Sequence, residues 1–326
     1  MSTDWQLQQI RTTDVDELSM SLPGWTQRYT KLERGVFRGA LTLGSDGAVQ
    51  VYREHTQGAI LQEGETDGRM VGLAIPVRAS GAVFSFGTRV AAQREVMGFF
   101  APRRLNLRTP ETFELLVVSV QRQMLAEFDQ CHQLWCGGRL RSARVGHLPL
   151  WIRQELVDAM LALLDPALER QRLPRARLAL LDCLAEALLK FEDAPVPAKS
   201  LTCRSTVQQA LATVQQWMQE RADTPLNVAA LCAELGLPRR TLQYCFEQAL
   251  GISPLQYLKS VRLGGARRSL KQGTGSVTDA SLQWGFDHPS AFARDYQAMF
   301  GELPSQTLER VRPVRLARDL ARCPVF

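Results

Sequence analysis

The amino-acid sequence predicts an α+β chain: a β-rich, barrel-like N-terminal domain with helices attached, then an all-α domain with two helix-turn-helix units joined by a long helix. Three observations predict it. Apolar runs of strand length alternate with glycines between about residues 37 and 120, apolar residues recur at three- and four-residue spacing from about residue 149, and one pattern occurs twice near the C-terminus.

The strand-length runs are, in order, GALTLG, GAVQVYRE, VGLAIPV, GAVFSFG, VMGFF and FELLVVSV. Their regular spacing, with turn residues between them, predicts a small antiparallel barrel or sandwich, β-rich to about residue 130. From about residue 149, LWIRQELVDAMLALLDPALERQRL and PRARLALLDCLAEALLKFE carry the apolar stripe of amphipathic helices. DAPVPAKS, Asp193–Ser200, has two prolines and no apolar periodicity, so 193–203 reads as a linker between a first domain, 1–192, and a second, 204–326. In the second domain TVQQALATVQQWMQE and VAALCAELG predict two helices, and Arg239 to Leu250 a third that ends at Gly251. Ser253 before Pro254 supplies a cap and a preset φ for the next helix, PLQYLKSVRLGGARRSLKQ. Within it Gly264 and Gly265 each cost about 1 kcal/mol relative to Ala. VTDASLQWG and HPSAFARDYQAMF complete the series.

Composition narrows the function classes. The chain has 326 residues, 45% of them hydrophobic, enough for a core in each of two domains. No apolar run approaches the roughly 18 residues that cross a bilayer, and the start MSTDWQLQQIRTTD lacks a cationic segment followed by an apolar one. The expectation is a soluble cytoplasmic protein with no membrane partner. Seven cysteines, scattered without paired CxxC spacing, predict reduced thiols. CHQLWC, Cys131–Cys136, sets a His beside two cysteines but lacks a fourth ligand, so no metal is expected. No nucleophile–base pair, phosphate loop or carboxylate pair points to an enzyme. Of the net charge of +6, residues 204–326 supply +5, from 15 Lys plus Arg against 10 Asp plus Glu. The basic excess lies in the repeat-bearing third, where a nucleic-acid partner is compatible with it.

GLPRRTLQYCFEQALGISP, Gly236–Pro254, returns as GFDHPSAFARDYQAMFGELP, Gly285–Pro304. At an offset of 50, Leu242 matches Phe292, Phe246 matches Tyr296, Leu250 matches Phe300, Gly251 matches Gly301 and Pro254 matches Pro304. Each copy reads as a short helix ending at a glycine, a tight turn and a second helix, the form of a helix-turn-helix, over about 226–251 and 277–301. The small residues Cys232 and Ser281 sit where the first helix approaches the second. With Leu242, Phe246, Phe292 and Tyr296 turned inward, the opposite faces display Arg239, Arg240, Gln243 and Tyr244, then His288, Ser290, Ala293 and Arg294. Arg pairs bidentately with guanine, Gln with adenine, and Ser or His with phosphate or a base edge. A connecting helix of about 18 residues is about 27 Å long, comparable with the ~34 Å between successive major grooves. Arg267 and Arg268 on that helix are expected to be solvated or to touch phosphate. An ordinary helical bundle with solvated polar faces is the bland alternative, and the second copy weighs against it.

RRTLQYCFEQALGISPLQYLKSVRLGGARRSLKQ and VTDASLQWGFDHPSAFARDYQAMFGELPSQTL closely resemble the DNA-binding domain of the AraC/XylS family of bacterial transcription regulators, over about residues 204–312. The resemblance implies that Pro238, Arg240, Gln243 and Tyr244, with Arg239 beside them, and His288, Pro289, Ser290, Ala293 and Arg294 face base edges and phosphates. Pro238 replaces a usual Ser, Tyr244 a usual Arg and Tyr296 a usual Phe. It implies as partners double-stranded promoter DNA, RNA polymerase and a small-molecule effector, with residues 1–192 sensing the effector and forming a homodimer, and a regulator that activates. TTDVDELSMSLPGWTQRYTKLERGVFRG, VYREHTQGA and LCAELGLPRRTLQ look most like the branch that regulates ethanolamine utilisation, which implies ethanolamine with a corrinoid. His55 is the one histidine before residue 131, so the HxH pair of a metal-dependent cupin enzyme is missing. Trp25, Tyr52, Phe84 and Phe86 are candidates for a pocket lining, although residues of this kind are more often core. The alternative is an architectural DNA-binding protein without effector, for which a β-rich segment of roughly 90 residues is oversized.

Overall fold

A computed structural model describes residues 5–66, 68–85, 88–90, 95–100, 104–127, 144–194, 198–220, 226–273 and 275–311. CHQLWC and Phe86 lie outside them.

Thirteen strands among the described residues form two sheets. One has eight strands in the order β1 (Gln6–Thr12), β3 (Arg38–Ser45), β4 (Val49–Gln57), β11 (Thr112–Gln121), β6 (Met70–Ala79), β9 (Glu95–Phe99), β12 (Arg144–His147), β13 (Glu192–Asp193). The other runs β2 (Trp25–Lys31), β5 (Ile60–Thr66), β10 (Arg104–Arg108), β7 (Val83–Ser85), β8 (Thr88–Val90). The pleat explains the sequence pattern. Tyr52, Glu54 and Thr56 of β4 are buried and share one face, while Val49 and Val51 belong to the core on the opposite side. Leu41, Leu43, Tyr52, Phe113, Leu115 and Val117 of the large sheet meet Tyr29, Ile60 and Leu107 of the small one in a closed core. The large sheet's outer face, with Val51, Leu73 and Val118, is covered by α3 (Leu150–Leu164) and α4 (Leu173–Lys190). Two short helices, α1 (Val15–Ser19) and α2 (Arg122–Glu127), complete this half.

The helical half consists of α5 (Ala198–Glu220), α6 (Val228–Leu235), α7 (Arg239–Leu250), α8 (Pro254–Gln272), α9 (Val277–Gln283) and α10 (Pro289–Phe300), with 304–311 also helical. The linker expected over 193–203 is helical from Ala198. Cys203, Val207, Ala210, Leu211 and Val214 give α5 a continuous buried face, so the apolar stripe carries the helix upstream of the expected boundary. Nor are the halves separate: Leu32, Ala59 and Leu61 of the β domain share a core with α5, α7 and α8.

The two glycines inside α8 have opposite meanings. A Cβ at Gly265 would meet the Trp284 ring at 2.3 Å, so the helix gives up a side chain there to let α9 approach. A Cβ at Gly264 would meet only the tip of Arg268, at 3.5 Å. Gly264→Ala is therefore expected to stabilise the protein by about 0.5–1 kcal/mol and Gly265→Ala to destabilise it by about 1–3 kcal/mol. Denaturant titration of both variants checks the pair, and equal signs would refute the assignment.

Candidate nucleic-acid interface

Each helix-turn-helix unit is set by local chemistry. In the first, Asn227 caps α6 by accepting from the Ala230 N–H at 2.9 Å, and Gly236 leaves the helix in the left-handed region at φ 62°. Pro238 precedes α7 with φ −62°, the value its ring prefers, and Gly251 ends α7 at φ 66°. In the second, Ser276 and Asp279 form a reciprocal capping box on α9, Gly285 makes the turn at φ 71°, and Gly301 ends α10 at φ 75°. Ser281 is fully buried between its helices, while Cys232 is half-buried.

The inward residues expected from the repeat are inward. Leu242, Phe246 and Leu250 are buried in the core of the first unit, and Phe292 and Tyr296 in that of the second. Tyr296, where the resembled family has Phe, gives its hydroxyl a partner in Thr307 Oγ1 at 2.8 Å. The outward faces are open: Pro238, Arg239, Arg240 and Tyr244 are exposed on the first unit, and His288, Pro289, Ser290 and Arg294 on the second. Gln243 and Ala293 are half-buried beside them, and the Gln243 amide donates to Glu247 one turn on. Asp295 is taken by Lys259 at 2.8 Å, and among the described residues no carboxylate pairs with Arg294. Arg294 is available to a partner.

The connecting helix departs from expectation. It has 19 residues, about 28 Å at 1.5 Å per residue. Its basic residues are neither solvated nor free. Arg268 Nη1 lies 3.2 Å from Asp16 Oδ1, Lys271 pairs with both Asp14 and Asp16, and Arg267, 7% exposed, lies between Asp14 at 3.7 Å and Glu302 at 2.9 Å. Burial lowers the Arg268 guanidinium from its ordinary range, against the pull of Asp16. Burial alone would raise the Asp14 carboxyl, but Lys271 and Arg267 outweigh it and hold it low. Further contacts tie the halves together: Gly35 N–H donates to Ala298 O of α10 at 2.8 Å, and Gln215 of α5 donates to Glu63 of β5 at 3.0 Å. No helical periodicity marks Asp14 and Asp16 as partners of residues 250 positions away.

Two of the cavities near this junction bear on the expected pocket residues or on the contact with α5. One of about 50 Å³ sits inside the barrel, lined by Trp25, Tyr52, Gln62 and Phe99. Another of about 250 Å³ separates the small sheet from α5 and is lined by Arg28, Glu63, Asn106, Gln208 and Gln215. Trp25 and Tyr52 thus combine the two roles expected of them, core and lining. Phe84 does not join them: its ring lies where a Cβ at Gly251 would be, 2.7 Å away, beneath the end of α7.

Residues 231–310 match the family model described as a helix-turn-helix domain. Curated relatives match over part of the chain. The probable thc operon regulatory protein of Rhodococcus erythropolis is 29% identical over 133 residues, 40% of each chain. XylDLEGF operon transcriptional activator 2 of Pseudomonas putida is 36% identical over 99 residues, 29% of this chain and 62% of that one. The chain thus spans less than two thirds of the length of either. A solved structure, of a probable AraC family transcriptional regulator from Rhodopseudomonas palustris CGA009, is 38% identical and covers 32% of this chain and 99% of its own, with a TM-score of 0.28. The helix-turn-helix match thus falls on the segment that carries both repeat units, from α6 through α10.

Proposed function

We propose that the protein is a sequence-specific DNA-binding transcription regulator, an activator under the control of a small-molecule effector. One observation carries the reading: two helix-turn-helix units in one chain, each with its apolar residues buried and its Arg-bearing face open. The names of the relatives, an operon regulatory protein and a transcriptional activator, support it. Pro238, Arg239, Arg240, Gln243 and Tyr244 then read one major groove and His288, Pro289, Ser290, Ala293 and Arg294 the next, with RNA polymerase as the downstream partner. Residues 1–192 sense the effector and dimerise, and 204–326 bind DNA. Among the described residues no helix is long and apolar enough to cross a membrane, which suits a cytoplasmic regulator.

Arg294→Ala tests the site. Loss of a base contact costs roughly 1–3 kcal/mol on the cognate promoter and relaxes one base-pair preference, because a bidentate Arg contact discriminates by about that much. Titration of promoter and scrambled DNA at several salt concentrations reads this, with log K falling by about 0.9 per phosphate contact per decade of salt. Unchanged discrimination by the variant would remove Arg294 from the interface. For the effector, ethanolamine with a corrinoid is the specific reading, carried by the resemblance of the N-terminal segment. Calorimetry with both compounds decides it, and absence of heat leaves the regulator but removes this ligand.

A further inference from the structure

Two buried thiols in the first helix-turn-helix region face each other. Cys245 of α7 donates its S–H to the sulfur of Cys203 on α5, Sγ to Sγ 3.0 Å, and the residues are 2% and 5% exposed. We infer that Cys203 and Cys245 are an oxidant-sensitive dithiol that closes to an intramolecular disulfide and so staples the first reading helix to α5.

Packing puts the sulfurs there. Cys203 begins the buried stripe Cys203, Val207, Ala210, Val214 of α5, and Cys245 belongs to the stripe Leu242, Cys245, Phe246, Ala249 of α7, so the two helices press one thiol on the other. A disulfide needs the sulfurs at about 2.05 Å, about 1 Å closer than they stand, a distance that side-chain rotation covers. Burial, then the neighbouring Cys203, pushes the Cys245 thiol up to about 11, so the resting pair is two thiols and reacts slowly. The oxidant has to be small enough to enter, as hydrogen peroxide is. One sulfur attacks the O–O bond, giving a sulfenic acid and one water. The second sulfur then attacks the first, and the hydroxyl leaves as a second water. Both protein sulfurs are oxidised by one electron each, peroxide is reduced to two waters, and both thiol protons end in water. The new bond would run from the helix held to the β domain through Gln215 and Glu63 to the helix that displays Arg239, Arg240 and Tyr244. Closure itself does not depend on the DNA-binding reading.

Full-length protein treated with peroxide, alkylated and digested with trypsin without reductant provides the test. The expected product joins the peptide Ser200–Arg204 to Thr241–Lys259, lighter by two hydrogens, and dithiothreitol releases it. The thermal midpoint of the oxidised protein is expected to rise by about 5 °C or more, because the bond closes a loop of some forty residues. Cys203→Ser is expected to show neither the joined peptide nor the shift. Sulfinic or sulfonic acid at either residue without the joined peptide, or a link from Cys203 to Cys232 instead, overturns the proposal. Peptide mapping of the unsubstituted chain decides this even if the variant folds poorly.

Discussion

Replacing Phe292 by Ala is expected to cost about 3–5 kcal/mol and to unfold the second helix-turn-helix unit before the rest of the chain. Phe292 is 1% exposed, and its ring lies 5.0 Å from Phe286 and 5.6 Å from Tyr296, the centre of a small core closed by Leu263, Leu270 and Leu308. A core of this size has few neighbours to collapse into the vacancy, which puts the cost toward the upper end. The first unit draws on a different core, one that the β domain completes with Leu32, Ala59 and Leu61. The variant should therefore show an early transition of partial amplitude in calorimetry, followed by the remainder near the parent temperature. On the proposed reading, DNA contacts from His288, Ser290 and Arg294 should disappear together and those from α7 remain, so a footprint should shrink from two patches to one. A single transition at the parent temperature would show that Phe292 is not a core residue. Loss of both patches would show that the units do not fold independently.

Phe292 was legible in the sequence because a repeat was present to read. The matches Leu242 with Phe292, Phe246 with Tyr296 and Gly251 with Gly301 mark inward faces and helix ends, and the left-handed φ values at Gly236, Gly251, Gly285 and Gly301 show why those residues have no side chain. The strands were legible from their apolar runs and the glycines between them, although nothing in that pattern reveals that β13 returns to pair with β12. What stayed hidden is everything that joins distant segments. Arg267 and Arg268 look like solvated charges on a helix, and nothing in the periodicity of α8 says that α1 covers that face with Asp14 and Asp16. Gly265 reads as a helix weakness until Trp284 occupies its missing Cβ. Periodicity reports that a face is buried or charged, and only the folded chain says what lies against it.

Glu54 is a second residue of this kind, and it makes a large pH dependence. It alternates correctly with Tyr52 and Thr56 on β4, so the pleat alone commits a carboxyl group to the barrel interior, where it is 1% exposed. Gln62 Nε2 donates to its Oε2 at 3.1 Å, and its Oε1 has no partner. Burial raises its pKa to about 7, and the Gln62 amide and the nearby Tyr29 hydroxyl lower it only in part. Raised folded-state affinity for a proton in an acid reverses the common carboxylate case. Between an unfolded value of 4.5 and a folded value of about 7 the folded chain holds the proton and the unfolded chain does not, so stability falls as pH rises through that window. The loss is complete above about pH 7 and amounts to about 3 kcal/mol. Glu54→Gln keeps the shape and an acceptor for Gln62 without ionising, so it should be more stable than the parent at pH 8 by about that amount and similar to it at pH 4.5. Because Lys31, brought down to about 8 by burial, also titrates near this range, the decisive quantity is the difference between parent and variant at each pH. Denaturant midpoints at half-unit steps from pH 4.5 to 8 supply it. A difference that does not change with pH would mean that Glu54 is already ionised in the folded barrel, held by a contact that its buried Oε1 does not show.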